Sequence, residues 1–481
     1  MKKILATVIF ASLTVGLRAQ CDTFILVKDW HIFDNDHLFK PFDGIDVVPS
    51  GDYPVDSNEW RRIYFIHGLG GDKSAWEQAG VACQYGAADF PARKCETTLM
   101  DYVKSTASLL SAANDVRKGI RDQANADRRD YYNLNPKMLN PARAILIAHS
   151  QGGVVSRELM HLDFVADSNN PILKPNGQMN YGGLVTVASP LQGAQILNNR
   201  DWILTWANQG CRKLMEGPVT YIDVIFVGAY LRKIFNNLIP SFCNVITNDV
   251  MPMFVKDYYK GITAGYAVGS DTINILNRDT NNANYRKFPK MAFYAVEPQD
   301  NIFWRTLNWI INSPNDTGAF QANDDWKFYN TIGKEAINKY KGNYEQHQAE
   351  YERLSKKQNT FFIGWFVSNS KVEKEYDAMV AWLNGLYWLN DVNISWKEII
   401  CAADWKHPNH HKENDGVVLA ESAMGLPCPT HLPVKIYPTF PNSSNEGSSH
   451  MQVRNDEGLK VHLNKLFNGD YDFWFATAVN K

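Results

Sequence analysis

One stretch constrains the chain more than any other: Ala144-Ile145-Leu146-Ile147-Ala148-His149-Ser150-Gln151-Gly152-Gly153-Val154-Val155. The unbroken apolar run to Ala148 reads as a short strand buried on both faces, as in a parallel sheet. After Gly152 the apolar residues Val155, Leu159 and Met160 recur at helical spacing. A strand that becomes a helix within three residues needs small neighbours around the turn, and Ala148 and Gly152 supply them on either side of Ser150. Such a chain is committed to an α/β plan, because a parallel strand needs crossover helices on both faces.

The turn has a chemical reading and a plain one. A serine pushed out above a sheet edge, with the Gln151 amide behind it at a helix N-terminus, suits a nucleophile whose reaction develops an oxyanion. Ala148 stands where the G-x-S-x-G elbow has its first glycine. The plain reading is a strand–helix turn with a capping serine. A second element favours the chemical one. Arg62-Ile63-Tyr64-Phe65-Ile66-His67-Gly68-Leu69-Gly70-Gly71 is another apolar strand, and it ends in a His-Gly turn. In an α/β-hydrolase the loop after this earlier strand gives the other oxyanion amide, here that of Leu69.

His67-Gly68-Leu69-Gly70-Gly71, Ala148-His149-Ser150-Gln151-Gly152-Gly153 and Val187-Ala188-Ser189-Pro190-Leu191-Gln192-Gly193 together resemble the three signature stretches of bacterial lipases and related esterases, lipase-like deacylases included. The resemblance covers about residues 60–197 and a C-terminal piece near 412–470. It implies an α/β-hydrolase fold: a mostly parallel central sheet flanked by helices, with a large helical cap or lid inserted. The expected divisions are a signal peptide at 1–19, core segments at 20–197, 289–299 and 406–481, a cap or lid at 198–288, and a second helical insertion at 300–405.

In this fold the nucleophile is followed in order by an acid and a histidine. Lys412-Glu413-Asn414-Asp415-Gly416-Val417-Val418 sets a carboxylate at a turn tip, and it resembles the lipase stretch that carries the triad acid. Asp415 is therefore the expected acid. Asp300, with Glu297 before it, competes, because Lys290–Val296 reads as the strand after which an acid ordinarily sits. Ser448-Ser449-His450 lies beyond a last strand at Val434–Tyr437, and His450 is the expected base. His431 precedes that strand, and His462 lies in the final helix with Leu459, Leu463 and Leu466, where packing is expected. Ser189 either lines the site or closes an ordinary turn. His67 and His149 are expected to brace their loops.

Export is expected from Lys2 and Lys3 before the apolar run Ile4–Leu17, with cleavage after Leu17-Arg18-Ala19. Arg18 and Gln20 are poor neighbours for lipid anchoring at Cys21. Outside a reducing cytosol the seven cysteines suggest the couples Cys83/Cys95, Cys211/Cys243 and Cys401/Cys428, with Cys21 left over. Thr98–Ala126 is expected to be helical. Val219–Ile239 is nearly continuously apolar and reads either as a buried helix or as a lid that meets a lipid interface. Phe328, Ile332, Ala336, Tyr340, Tyr344, Tyr351 and Leu354 share one helical face, and Val372, Tyr376, Val380, Leu383 and Tyr387 share another, so a helical hairpin is expected.

A near-neutral net charge of −2 argues against nucleic acid as a partner. His407, His410 and His411 read as a solvated loop rather than a metal site. Calcium-binding lipases carry an Asp two residues after the catalytic histidine, whereas this chain has Gln452, so neither metal nor cofactor is expected. The expected activity is hydrolysis of carboxylic esters, lipid esters among them, by Ser150, His450 and Asp415, with Leu69 and Gln151 holding the oxyanion. An amidase or deacylase with the same triad, and an inactive binding protein of the same fold, are the alternatives.

Overall fold

The computed structural model describes residues 61–69, 71–76, 79, 83, 95–102, 108–132, 139, 144–163, 180–199, 265–278, 290–297, 302, 324–360, 368–400, 402, 412–425, 432–435, 449, 450 and 452–468. The signal peptide, Cys21, the apolar stretch at 219–239, Asp300, the couples Cys211/Cys243 and Cys401/Cys428, and His407, His410, His411 and His431 lie outside the described residues.

Six described strands form one parallel sheet: β1 (Arg61–Ile66), β2 (Cys95–Met100), β3 (Ile145–His149), β4 (Gly183–Val187), β5 (Lys290–Tyr294) and β6 (Leu432–Lys435), in the spatial order β2-β1-β3-β4-β5-β6. Ile63, Tyr64, Phe65 and Ile66 of β1 and every residue of β3 are buried, which is why these runs are apolar without alternation. Alternate residues still take opposite faces. Ile63, Phe65, Ile145, Ile147, Val185, Val187, Met291 and Phe293 share a core cluster with Trp76 and with Leu459, Leu463 and Leu466. Those leucines lie on α7 (Glu457–Asn468), the last described helix.

In chain order the other helices are α1 (Leu109–Tyr132), α2 (Gln151–His161), α3 (Asp271–Arg278), α4 (Asp324–Gln358), α5 (Asn369–Ile399) and the short α6 (Ala420–Ala423). Helix α2 buries Gln151 through Met160. A parallel sheet brings all its strand ends to one edge, where loops can converge on a site.

Three expectations change. Thr98 to Met100 belong to β2 and not to a helix; α1 begins only at Leu109, after Ser108. The Ser108 hydroxyl accepts the Ser111 amide at 3.3 Å and its carbonyl accepts that of Ala112 at 3.0 Å, marking the helix start. The last strand spans Leu432–Lys435, two residues earlier than expected at its start. Its Pro433 pairs with Ala292 at the end of the described strand order, where a missing N–H is tolerated. Cys83 and Cys95 are not joined by a disulfide; both thiols are buried in the main core cluster, where cysteine packs as a small apolar residue.

Between β5 and Asn414, α4 and α5 pack as an antiparallel hairpin. The Tyr351 and Tyr376 rings meet at 5.5 Å, His347 pairs with Glu375 at 2.7 Å, and Gln358 bonds Asn369 at the end where the two helices are joined. Leu354 and Ala378 are buried in the seam, while Lys356, Lys357, Lys371 and Lys374 stay in solvent.

Candidate active site

The serine turn is as sharp as its neighbours suggest. Ser150, between β3 and α2, has φ 51° and ψ −123°, a conformation a side chain adopts only at a cost of about 1–3 kcal/mol. Its amide donates to the Val187 carbonyl at 3.0 Å and its carbonyl accepts the Gly153 amide at 3.0 Å, so the strained residue is held on both sides.

Two glycines let the neighbouring loop come close. A Cβ on Gly152 would stand 2.4 Å from the His67 carbonyl oxygen and 2.8 Å from that of Ile66, so the end of β1 lies directly on the first turn of α2. A Cβ on Gly68 would stand 2.9 Å from Ser150 Cβ. The turn carrying Leu69 therefore rests against the serine, and the Leu69 side chain itself is exposed. His67 Nδ1–H donates to the Gly68 carbonyl at 2.9 Å and the ring stacks on Tyr102 at 4.2 Å. The Tyr102 hydroxyl donates to the His67 carbonyl at 2.9 Å, and burial raises its pKa. Gln151 opens α2, so its amide is at the positive end of the helix.

Opposite this turn stand Asp415 and His450. Asp415 Oδ2 accepts from His450 Nδ1 at 2.8 Å, and His450 Nε2 lies 2.8 Å from Ser150 Oγ. A carboxylate can only accept, which assigns the proton to Nδ1 and leaves the Nε2 lone pair for the serine hydroxyl to donate to. The other carboxylate oxygen accepts the amides of Val417 and Val418 at 3.0 and 2.7 Å. Those bonds need a tight turn: Gly416 takes φ 95° and donates to Asn414 Oδ1 at 2.9 Å. The His450 amide donates to the Asp415 carbonyl at 2.8 Å, so the two residues are tied by backbone as well as side chain. Both are almost fully buried.

The competition between the two acids has a geometric side. Asp300 lies outside the described residues. The Glu297 amide, three residues beyond β5, donates to the Asn414 carbonyl at 2.7 Å. Asp415 thus stands at the end of the strand where counting alone would seek an acid, although a long excursion separates the two in sequence.

Of the remaining sequence candidates, Ser189 is buried under the elbow. Its hydroxyl approaches the Val187 and Ala148 carbonyls at 3.4 and 3.5 Å, and a Cβ on Gly153 would stand 2.1 Å from it. It packs the turn from below. His462 faces Phe293 at 5.8 Å on α7, a packing position. His149 is buried, its Nε2 is 2.8 Å from the His450 carbonyl oxygen, and its pKa is lowered, first by burial and then by His450. Sequence reasoning missed Trp396, whose indole N–H donates to the Gly416 carbonyl at 2.9 Å and steadies the Asp415 turn. It also missed Trp76, which donates to the Ile66 carbonyl at 2.9 Å. Neither tryptophan lies in a motif, and no local signal marks either.

No protein-family model and no curated protein sequence matches the chain. Among solved structures it is similar to a phospholipase, PlaB, from Legionella pneumophila, at 14% identity and TM-score 0.26, over 53% of this chain and 42% of that one. It is also similar to the peroxisomal alpha-beta-hydrolase Lpx1 from Saccharomyces cerevisiae, at 15% identity and TM-score 0.22, over 50% of this chain and 63% of that one. The matched regions thus span less than two thirds of either relative.

Proposed function

We propose that the chain is a serine hydrolase of carboxylic esters, lipid acyl esters foremost. The observation that carries the reading is the relay from Ser150 Oγ through both nitrogens of His450 to Asp415, with 2.8 Å at each junction. As the Ser150 oxygen attacks the ester carbonyl carbon, its proton passes to His450 Nε2. Asp415 keeps the proton on Nδ1 and stabilises the imidazolium, while its two backbone donors hold the carboxylate in that orientation. The carbonyl oxygen takes the negative charge, and the amides of Leu69 and Gln151 are the donors assigned to it. Collapse of the intermediate breaks the bond to the alcohol, which leaves with the proton from Nε2. Water then attacks the acyl-Ser150 ester with His450 again as base, releasing the acid and restoring the serine.

The preference for lipid esters rests on the lipase-like motifs around Ser150 and on the nearly continuous apolar composition of the stretch at 219–239. A fluorophosphonate should label Ser150 in the wild type and nothing in Ser150→Ala. That variant should also lose ester hydrolysis by several powers of ten. Wild-type turnover in Ser150→Ala would end the proposal. A series of p-nitrophenyl esters of rising chain length, run beside amides, separates lipase from short-chain esterase and from amidase.

A further inference from the structure

We propose that His149, the residue immediately before the nucleophile, is a positioning residue that fixes His450 to the elbow through the His450 main-chain carbonyl. The inference rests on the ester-hydrolase reading of Ser150 and adds a part to that site.

His149 is the last residue of β3 and pairs with Val187 of β4, so its backbone is fixed in the middle of the sheet. The side chain is 1% exposed. Its Nε2 lies 2.8 Å from the His450 carbonyl oxygen, and a carbonyl accepts only, so the proton is on Nε2. Nδ1 then bears the lone pair, and among the described residues it has no hydrogen-bond partner. The imidazole is thus a one-ended strut: one donor, aimed at one acceptor.

That acceptor matters because His450 must reach two partners at once. Its amide is held by the Asp415 carbonyl at 2.8 Å and its carbonyl by His149, so both peptide groups flanking the ring are anchored to different elements. The Asp415 tie fixes the distance to the acid. The His149 tie fixes the distance to the serine, since His149 and Ser150 are consecutive on one rigid strand end. The rings of His149 and His450 lie 4.9 Å apart, tilted by 46°, and Trp76 closes the far side of His149 edge-on at 6.1 Å. Removing the donor leaves the His450 peptide tied only through its amide, free to pivot about the Asp415 carbonyl and carry the ring away from Ser150 and out of line with the Asp415 carboxylate. A drift on the order of 1 Å is enough to lower a proton-transfer rate about a hundredfold.

Two amides of different reach test this in the full-length protein. Glutamine can place its N–H₂ where Nε2 stands; asparagine is one carbon shorter and cannot. His149→Asn should lower kcat on p-nitrophenyl butyrate by about 10- to 100-fold with KM within about twofold, and His149→Gln should recover to within about fivefold of wild type. The rate of Ser150 labelling by a fluorophosphonate should follow kcat. Equal kcat in the two variants overturns the proposal, because a merely space-filling histidine gives no reason for Gln to rescue. A readout independent of turnover is the low-field NMR resonance of His450 Nδ1–H, bonded to a carboxylate. It should persist in wild type and His149→Gln and broaden or shift in His149→Asn; an unchanged resonance in all three also overturns the proposal. A wild type that neither hydrolyses esters nor takes the label, yet shows this pattern of resonances, refutes the hydrolase reading and leaves the positioning role standing.

Discussion

Adding one methyl group at Gly152 is the smallest perturbation that separates the two halves of the proposed oxyanion site. The new Cβ would stand 2.4 Å from the His67 carbonyl oxygen, and ordinary contact begins at 3.4 Å, so the elbow and the His67 loop must part by about 1 Å. The end of β1 resists moving. Ile66 is fully buried and paired with both Met100 and Ala148, its carbonyl accepts the Trp76 indole, and the His67 carbonyl accepts the Tyr102 hydroxyl. Two effects then oppose each other in stability. Alanine improves helix propensity by about 1 kcal/mol at most. Forcing a methyl into a packed contact costs about 1–3 kcal/mol. The net is a destabilisation of up to about 2 kcal/mol, a fall in Tm of several degrees for a domain of this size. The rate suffers more than the stability. The Leu69 amide rides on the displaced loop and the Gln151 amide on the helix, so one donor is lost to the oxyanion, worth about a hundred- to a thousandfold in kcat. Steady-state kinetics on a soluble p-nitrophenyl ester, beside a thermal melt, measure both. A Gly152→Ala protein with wild-type kcat and Tm would refute the close approach of the His67 turn and with it the assignment of Leu69.

Asp415→Asn should lower kcat by about three to four powers of ten with KM nearly unchanged, as the handed-over charge on His450 loses its counter-ion, whereas Asp300→Asn should change it less than about tenfold. The reverse pattern in the same assay moves the acid to the segment after β5. Burial and the neighbouring His450 hold the His149 pKa below its ordinary value, so on acidification the unfolded chain takes up that proton first and stability falls as pH drops below about 6.5. The contribution has a slope of up to about 1.4 kcal/mol per pH unit, and urea melts of His149→Gln should be flatter by that amount between about pH 6 and 5; parallel curves would contradict it. Cys83 and Cys95 should resist alkylation in the native protein and react after unfolding without reductant, and a peptide linking them by a disulfide would overturn the buried-thiol description.

Much of the sheet is readable in the sequence because parallel strands buried on both faces leave continuous apolar runs, as at Ile63–Ile66 and Ile145–Ala148. The strand Cys95–Met100 is not, because it is the outermost described strand and its Glu96-Thr97-Thr98 centre is only partly buried. The Ser150 turn is legible because its geometry depends on near neighbours, and so is the hairpin, whose apolar faces repeat over many turns. The Asp415 turn can be seen in Asn414-Asp415-Gly416, but its location at the end of β5 depends on the Glu297–Asn414 hydrogen bond, which no local pattern encodes. Spacing misleads at Cys83 and Cys95 for the same reason: closeness in sequence does not bring two thiols within bonding distance in a core.

That bond between Glu297 and Asn414 also says how freely the protein can change. The chain leaves the sheet and returns to it at one point, 2.7 Å across, with roughly 115 residues strung between. Closing so long a loop instead of one of about six residues costs only about 2.6 kcal/mol, because the entropy grows with the logarithm of length. The excursion is therefore a pendant that selection can lengthen, trim or exchange, provided its two ends still meet. Two stitches among the described residues limit that freedom: the Asn199 side-chain amide donates to the Ile399 carbonyl at 2.6 Å, and the Trp396 indole, carried on the returning helix, reaches back to the turn that holds Asp415. A graft that replaces the hairpin but omits this tryptophan would keep the sheet and loosen the acid, so the length of the pendant is negotiable and its last turn is not.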